Sequence, residues 1–562
     1  MKKTDNLIQP EKVPHFWLCA GLLAILAASI LSRDITCPFY GLHSWGQAHD
    51  AWVARSHAKY GLGYTKGFDT FAVGNPAGAN AGRYLDHPVL FGLVNALAMV
   101  IFGINTWALR ITNVLATVIA LLLFLKILRG LLDDISALLA GLFFCLFPLI
   151  GYFGVNQWLY PLSFAAIWCY LVLTGALKDG PPPKRFHKWV LAVSLFLALQ
   201  MTWEGFFFAL AIGVHYVSRC IYRRQLPEKG LLAILIIAPL SSLVLVILIL
   251  AAGGHWDFHR IIELARIRAT SGEIETLTWS MWFERFCEHA VTNFTLPILI
   301  WTIAYLTLGQ LFVFASSSSD KQKVKVSRRY PQFWLFLMPA VFQLTMLRGT
   351  LSPHQYWERP LVPFIAIAAA LGVMTLYDIL KRVHRRLAVV GALVLIAGLF
   401  ISCVVGTNYY YGIRWQAIQK IEMFKMLNRL IPPDKALLSF EPYTIDQFPG
   451  IKAASYRPEI AWYLDRDIEV AQSLKDIEEK RKTGKYPYYL VPKTHQVKEA
   501  AAYIQMLITQ LEKRYKVVAE YPYVPWENKN LPWHKKADKN IRIYKTGLFP
   551  QVIFDLNSRV SE

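Results

Sequence analysis

Residues 43–61, HSWGQAHDAWVARSHAKYG, follow soon after the first long apolar segment of the chain. Trp45 and Trp52 stand at helical spacing in this stretch, and charged side chains are interleaved with them. This pattern is typical of a helix at a membrane surface, where tryptophans lie at the level of the lipid headgroups and polar groups face water. The stretch therefore predicts a surface helix that follows a membrane-spanning one.

Apolar segments of spanning length recur along the chain, which has 562 residues, 55% of them hydrophobic. The pattern predicts an α-helical polytopic membrane protein with about eleven transmembrane helices. A further apolar stretch, residues 88–102, is short for a span. The predicted spans are residues 16–33, 106–127, 135–151, 158–177, 188–202, 204–221, 231–252, 291–314, 332–348, 360–378 and 387–406.

The chain has a net charge of +21, and many of its lysines and arginines lie in short clusters between the apolar segments. These clusters all stay inside if residues 88–102 form a juxtamembrane or re-entrant helix, and all move outside if that stretch spans. Because basic loops favour the inside, we predict the first arrangement, with the N-terminus inside and the C-terminus outside. Binding of nucleic acid is not expected. The clusters are KILRGLLDD (126–134), KDGPPPKRFHK (178–188), YRRQLPEK (222–229), DKQKVKVSRR (320–329) and KRVHRR (381–386).

This topology also predicts the outer segments. They are a first loop at residues 34–88, a loop near 253–290, the turn RGTLSPHQYWERP at 348–360 and a C-terminal region. In the C-terminal region short apolar runs alternate with amphipathic helical stretches, as in an α/β domain. We therefore predict a transmembrane domain at residues 1–407 and an extracytoplasmic α/β domain at residues 408–562.

The first outer loop carries two carboxylates near the membrane surface. Asp50 lies in the opening stretch, and Asp86 lies in YLDHPVLFG (84–92), just before Pro88. A carboxylate at the interface is partly desolvated, which raises its pKa towards the range of a general base for a hydroxyl group. Such a group could also hold a divalent cation.

Four segments of the chain resemble the family 39 type of glycosyltransferase, which includes protein O-mannosyltransferases and the lipid A aminoarabinose transferase. A later segment, HQYWERPLVPFIAIAAA (354–370), looks like the family's segment that leads into a late helix. The likeness is good over about residues 16–180. The four segments are WGQAHDAWVARS (45–56), YLDHPVLFG (84–92), FGINTWALRITNVLA (102–116) and FPLIGYFG (147–154).

The resemblance implies the GT-C fold and a polyprenyl-phosphate-linked sugar donor used at the outer face. It gives Asp50 the role of the base and Asp86 that of a second polar residue. The chain departs from the family pattern here, because its acid follows WGQAH (45–49) and so lies one position later. One residue turns a helical side chain by about 100°, which leaves the base open between Asp50 and Asp86.

A second departure concerns the next outer turn, GVNQWLYPLS (154–163), which lacks the carboxylate that relatives often carry there. A metal site built from carboxylates of both loops is therefore not expected. No cofactor is predicted to be required, and a divalent cation stays an open alternative.

The phosphate of a lipid-linked donor needs cationic or hydrogen-bonding partners at the outer interface. Arg348 and Arg359 could supply them, or could be interfacial anchors. Glu204, at the outer end of a helix, is expected to be a solvated helix cap. The candidate substrate ligands are His49, His87, Arg55, His354, Tyr356, Glu358 and Arg359, with Lys59 and Arg110 as weaker ones.

These observations predict a glycosyltransferase of the cytoplasmic (inner) membrane that moves a sugar from a polyprenyl phosphate to an acceptor hydroxyl on the outer side. The acceptor could be lipopolysaccharide, another lipid-linked glycan or a protein. A transporter or flippase for a lipid-linked substrate is the alternative, and it would place ionisable residues deep in several helices. A third hypothesis, a surface anchor with a solute-binding C-terminal domain, would not depend on Asp50 or Asp86.

Overall fold

The computed structural model divides into two compact units. Unit 1 comprises residues 1–35, 85–91 and 110–410, and unit 2 comprises residues 36–84, 92–109 and 411–562. The structure describes residues 13–77, 81–84, 87–155, 160–178, 180–252, 262, 265–266, 268–269, 278–309, 330–350, 354–413, 418–441, 458–493, 498–521 and 551–560.

Helices dominate the chain, as the sequence predicts. Short 3₁₀ turns occur at Arg348–Thr350 and Gln355–Leu361, and a π turn occurs at Tyr305–Gly309. The helices are α1 (Phe16–Leu31), α2 (Ser44–Thr65), α3 (Leu90–Phe102), α4 (Thr106–Leu131), α5 (Asp134–Leu146), α6 (Pro148–Phe153), α7 (Pro161–Leu173), α8 (Arg185–Met201), α9 (Glu204–Arg223), α10 (Lys229–Ala252), α11 (Trp279–Phe294), α12 (Leu296–Ala304), α13 (Tyr330–Met346), α14 (Val362–Val383), α15 (Arg385–Gly412), α16 (Ile418–Leu430), α17 (Pro458–Leu464), α18 (Leu474–Arg481) and α19 (Lys498–Glu512).

Helices overlap every predicted span. By length and composition, five helices of the described chain could cross a membrane, namely α4, α9, α10, α15 and α14 with the 3₁₀ turn before it. The shorter apolar helices are α1, α3, α5, α7 and α13. The polytopic helical fold is confirmed, whereas the number of spans stays a prediction.

The predicted span at residues 291–314 coincides with a sharp bend of the chain and stays a prediction. The structure has two helices there, α11 and α12, which are bent by 103° at Thr295. The break has a local cause, because Thr295 has a left-handed φ of 66° and Pro297 lacks the amide hydrogen that would continue the first helix.

Unit 1 is held together by close helix contacts, in which α5 packs on α14, α7 on α8, and α9 on α13. The turn between α8 and α9 depends on Gly205, where a Cβ atom would lie 2.6 Å from the carbonyl oxygen of Ala198. Only glycine allows the two backbones to approach so closely. This approach fixes where α9 begins and therefore where Glu204 lies.

Unit 2 contains a five-stranded mixed sheet in the order β4-β3-β5-β7-β6. The central strand β5 runs parallel to β3 and antiparallel to β7. The C-terminal region therefore contains a β-sheet, as the α/β pattern of its sequence predicts. The strands of the chain are β1 (Asp69–Phe71), β2 (Gly82–Tyr84), β3 (Leu437–Ser439), β4 (Ile468–Val470), β5 (Tyr488–Pro492), β6 (Tyr515–Tyr521) and β7 (Gln551–Arg559).

Alternate residues of this sheet enter two different cores, because side chains of a strand point to opposite faces in turn. Leu437 and Leu490 pack in a cluster with Trp52 and Phe424, whereas Leu438 lies in a cluster with residues of α19. The first outer loop thus supplies one covering layer of the sheet. The predicted division at residues 407 and 408 stays a prediction, but the loop groups with the C-terminal region in unit 2.

The opening stretch forms helix α2, as predicted, but the expected position of Trp52 at the lipid headgroups is wrong. Trp52 is 1% exposed and donates a hydrogen bond from Nε1 to the carbonyl oxygen of Ala72 at 2.7 Å. The apolar face of α2 is buried against protein, since residues of the C-terminal region provide a packing surface that the local sequence pattern does not reveal.

Candidate active site

Asp50 and His49 form a partly accessible pair on α2, in unit 2. His49 Nδ1 lies 3.3 Å from Asp50 Oδ1, and the side chains are 13% and 19% exposed respectively. The imidazole ring packs edge-on against Phe71 and Tyr84, with centroid distances of 5.1 Å to each. A carboxylate with an oriented imidazole beside it and some access to solvent can accept and pass on a proton.

The helix that carries Asp50 is fixed by the residues that follow it. Ser56 Oγ accepts a hydrogen bond from the amide of Ala72, in addition to the bond that Trp52 makes to the same residue. One side of α2 is thus tied to the segment after β1. The position of Asp50 therefore follows from packing within unit 2.

Arg55, a predicted substrate ligand, is 3% exposed and has several protein partners. Its guanidinium donates to the carbonyl oxygens of Ala461 and Trp462 at 3.0 and 2.9 Å. It also lies 3.3 Å from a carboxylate oxygen of Asp465. These contacts indicate that Arg55 fastens α2 to α17.

A buried acid of unit 2, Asp69, is not indicated by the sequence pattern. Its Oδ1 lies 3.7 Å from His57 Nε2, and His57 Nδ1 lies 2.9 Å from the hydroxyl of Thr65. Burial raises the pKa of the Asp69 carboxyl, and His57 partly opposes this rise. A Cβ atom on Gly92 would lie 2.5 Å from Asp69 Oδ1, so only glycine lets α3 pass this close. The short segment GFDTF (67–71) contains no motif that singles out its acid.

In unit 1, Arg359 forms a buried ion pair with Glu204. The guanidinium Nη2 lies 2.7 Å from Glu204 Oε1, and the side chains are 4% and 11% exposed. Gln343 Nε2 also approaches this carboxylate oxygen, at 3.4 Å. The expectation that Glu204 is a solvated helix cap is therefore wrong, because the turn at Gly205 directs α9 against the segment that carries Arg359.

Glu358, the neighbour of Arg359, is fully buried. Its Oε2 accepts a hydrogen bond from Asn293 Nδ2 at 3.0 Å, and Asn293 Oδ1 accepts one from the hydroxyl of Tyr410 at 2.6 Å. Asn293 also donates to the carbonyl oxygen of Gln355 at 2.8 Å. This buried chain of polar groups fixes the 3₁₀ turn Gln355–Leu361 in place, and Glu358 acts within it as an internal acceptor.

His354 and Tyr356 lie on the same turn as Arg359. The Tyr356 hydroxyl lies 3.2 Å from His354 Nδ1, and the guanidinium carbon of Arg359 lies 5.1 Å from the centre of the Tyr356 ring. Arg348, nearby in sequence, lies over the ring of Trp279 at 4.6 Å. The structure therefore gathers three of the predicted phosphate ligands, His354, Tyr356 and Arg359, in one cluster.

The remaining candidates lie elsewhere. Asp86 lies outside the described residues, and His87 is half-buried in unit 1 just before α3. Lys59 lies 2.7 Å from a carboxylate oxygen of Asp465. Arg110 donates to the carbonyl oxygen of Asp34 at 2.7 Å. Lys59 and Arg110 therefore both have partners within the protein.

The described residues do not fit a divalent cation. Among them, no three His, Cys, Asp or Glu side chains are grouped so that they could hold a metal ion. Hard divalent cations are bound by several oxygen ligands. Asp50 offers one carboxylate, and its neighbour is an imidazole nitrogen. We therefore derive no step through a metal ion.

The chain is similar to two solved membrane proteins over most of its length. ArnT from Cupriavidus metallidurans bound to undecaprenyl phosphate matches with a TM-score of 0.57 and 11% identity, over 97% of this chain and 98% of that one. The archaeal oligosaccharyltransferase AglB from Archaeoglobus fulgidus, in complex with an inhibitory peptide and a dolichol-phosphate, matches with a TM-score of 0.50 and 13% identity, over 89% and 73% of the chains.

At the level of sequence, a family model described as dolichyl-phosphate-mannose-protein mannosyltransferase matches residues 86–250. A search of curated proteins finds no match. The matched range contains α3 to α10 and thus much of the helical part of unit 1. The two structural likenesses show that the chain has the GT-C fold, and its apolar helices indicate a multi-pass membrane protein.

Proposed function

We propose that the chain transfers a sugar from a polyprenyl-phosphate-linked donor to an acceptor hydroxyl at the outer face of the cytoplasmic membrane. One observation carries this proposal, the likeness over 97% of the chain to a structure solved with undecaprenyl phosphate. The family match to residues 86–250 supports it, since the description of that family also names a lipid-phosphate sugar.

Asp50 is the base in this proposal. It takes the proton of the acceptor hydroxyl, whose oxygen attacks the anomeric carbon while the bond from that carbon to the phosphate oxygen breaks. The configuration at carbon is inverted, and the electron pair leaves on the phosphate. His49, 3.3 Å from Asp50, orients the carboxylate and can pass the proton on. Asp86 remains the alternative base, or it orients the sugar or the acceptor.

Arg359 and His354 bind the departing phosphate. Charge grows on the phosphate as the bond breaks, so a preorganised cation lowers the barrier. Glu204 supports this role indirectly, because its ion pair at 2.7 Å holds the guanidinium in one orientation. The Nε atom of Arg359 has no hydrogen-bond partner among the described residues, and is a donor that could serve a phosphate oxygen.

The experiment uses the full chain in lipid vesicles with radiolabelled undecaprenyl-phosphate sugars and a membrane extract as the source of acceptor. Transfer is measured as label that leaves the donor together with the release of undecaprenyl phosphate. Asp50→Asn is compared with Asp34→Asn, a matched loss of one carboxylate from the same predicted outer loop.

We expect transfer to be lost in the Asp50 variant and kept in the Asp34 variant. Full transfer with Asp50→Asn, and loss with Asp86→Asn, would move the base to Asp86. Passage of an intact lipid-linked sugar across the vesicle membrane, with no transfer by the wild type, would instead support the transporter alternative.

A further inference from the structure

A basic pocket lies at the end of α9 that is remote from Glu204, within unit 1. Its volume is about 700 Å³. The α9 residues that line the pocket run from Tyr216 to Arg223, and the helical rise places them about 18–28 Å from Glu204. The proposed sugar transfer therefore leaves this pocket unexplained. Its cationic lining residues, which define the basic pocket, are Lys184, Arg185, Lys188, Arg219 and Arg223.

The charges of the basic pocket are far from balanced. Among the lining residues that the structure describes, the five cationic side chains face one carboxylate, that of Glu228. This carboxylate is already engaged, since its Oε1 lies 2.8 Å from Lys188 Nζ and its Oε2 accepts a hydrogen bond from the amide of Leu231 at 3.2 Å. Cations that are gathered around one cavity repel each other unless an anion joins them.

The basic side chains of the pocket differ in burial and in their hydrogen bonds to the protein. Arg219 is half-buried and donates a hydrogen bond to the carbonyl oxygen of Thr174, which fixes its guanidinium at the wall. Lys184, Arg185 and Arg223 are exposed at the rim. A fixed arginine with exposed basic side chains around it suits an anion whose oxygens accept several hydrogen bonds at once, as those of a phosphate do.

The surroundings of the basic pocket are apolar and aromatic. Leu226 lines it and is 95% exposed, and Trp189 and Tyr222 are exposed on the flanking helices. Aromatic side chains of this kind gather where lipid headgroups meet acyl chains. Several of the lining residues belong to the segments KDGPPPKRFHK (178–188) and YRRQLPEK (222–229), both of which the charge pattern predicts to be inside.

We propose that the basic pocket binds a phosphate ester, with the headgroup of an anionic phospholipid as the source that its apolar rim favours. Basic pockets between helices at the cytoplasmic side suit such headgroups. This inference does not depend on the proposed sugar transfer.

The test measures lipid binding to the purified full chain in phosphatidylcholine nanodiscs doped with phosphatidic acid, by native mass spectrometry of the released complexes. The pocket variant is Lys184→Gln/Arg185→Gln/Arg223→Gln. The control is Lys381→Gln/Arg385→Gln/Arg386→Gln, which removes the same charge from exposed residues of another basic loop. Thermal unfolding of both variants shows that they are folded.

We expect the pocket variant to bind phosphatidic acid at least about tenfold more weakly than the wild type, and the control to bind it normally. Glycerol 3-phosphate is then added as a competitor. Displacement by it identifies a soluble phosphate ester as an occupant, and retention of the lipid identifies the headgroup. Binding by the pocket variant at the wild-type level, or an equal loss in the control, would overturn the proposal.

Discussion

The two polar clusters of this chain differ in exposure and in how firmly each is held. The carboxylate of Asp50 is 19% exposed and lies 3.3 Å from His49. The guanidinium of Arg359 is 4% exposed and lies 2.7 Å from Glu204, beside a chain of buried hydrogen bonds. A group that exchanges protons needs access, whereas a group that binds charge gains from being fixed. This difference supports the proposed role of Asp50 in proton exchange and that of Arg359 in binding charge.

The largest expected effect is that of Asp50→Asn on sugar transfer. We expect the rate to fall by about 10²–10⁴-fold, because the amide cannot accept the proton of the acceptor. The melting temperature is expected to stay close to that of the wild type, since α2 is held by Trp52, Arg55 and Ser56. Rates and thermal unfolding of the same preparation check this, and a large loss of stability would assign Asp50 to the packing.

The buried ion pair predicts the next largest effect, on stability. Glu204→Gln is expected to destabilise unit 1 by about 3–5 kcal/mol, because it leaves the charge of Arg359 buried without a counter-charge. The double variant Glu204→Gln/Arg359→Gln should recover part of this loss. Unfolding of the single and double variants in detergent measures the coupling, and a double variant less stable than either single one would contradict it.

A smaller effect is expected in the chain of polar groups behind Arg359. Asn293→Ala removes the donor to Glu358 and should cost about 1–3 kcal/mol, since a buried acceptor loses its partner. Tyr410→Phe, which removes one hydroxyl from the same chain, should cost about 1 kcal/mol. Thermal unfolding compares the two variants. Asn293→Ala also removes the acceptor of the Tyr410 hydroxyl. Equal losses in the two variants would therefore indicate that the bond from Tyr410 accounts for the whole effect and that the bond from Asn293 to Glu358 adds nothing.

The smallest effect concerns the dependence of stability on pH at Asp69. Burial raises its pKa above the ordinary 3.8, so the folded state holds the proton more tightly than the unfolded chain. The contribution of this group to stability is therefore full below 3.8 and is lost as the pH rises through the raised value. Asp69→Asn should make the decrease in stability with rising pH less steep. The melting temperature measured against pH checks this, and a profile equal to that of the wild type would refute the prediction.

Much of the helical architecture and one of the clusters could be predicted. The turn with His354, Tyr356 and Arg359 was found because the three residues are close in sequence. Glu204, Asn293 and Tyr410 were not, since they meet that turn only through packing of distant helices. The structural partners of Arg55 lie more than 400 positions away, and a local pattern cannot indicate them.

The sequence by itself determined the class of protein, because long apolar segments with basic loops between them admit few structures other than a bundle of helices in a membrane. It also determined where an acid stands beside a histidine on a helix. Only the tertiary structure determined which charged side chains are buried in ion pairs or hydrogen bonds and which keep access to solvent. Burial and pairing depend on what the rest of the chain brings near, so Arg55 and Glu358 became parts of the packing, whereas the pair of Asp50 and His49 kept its access to solvent.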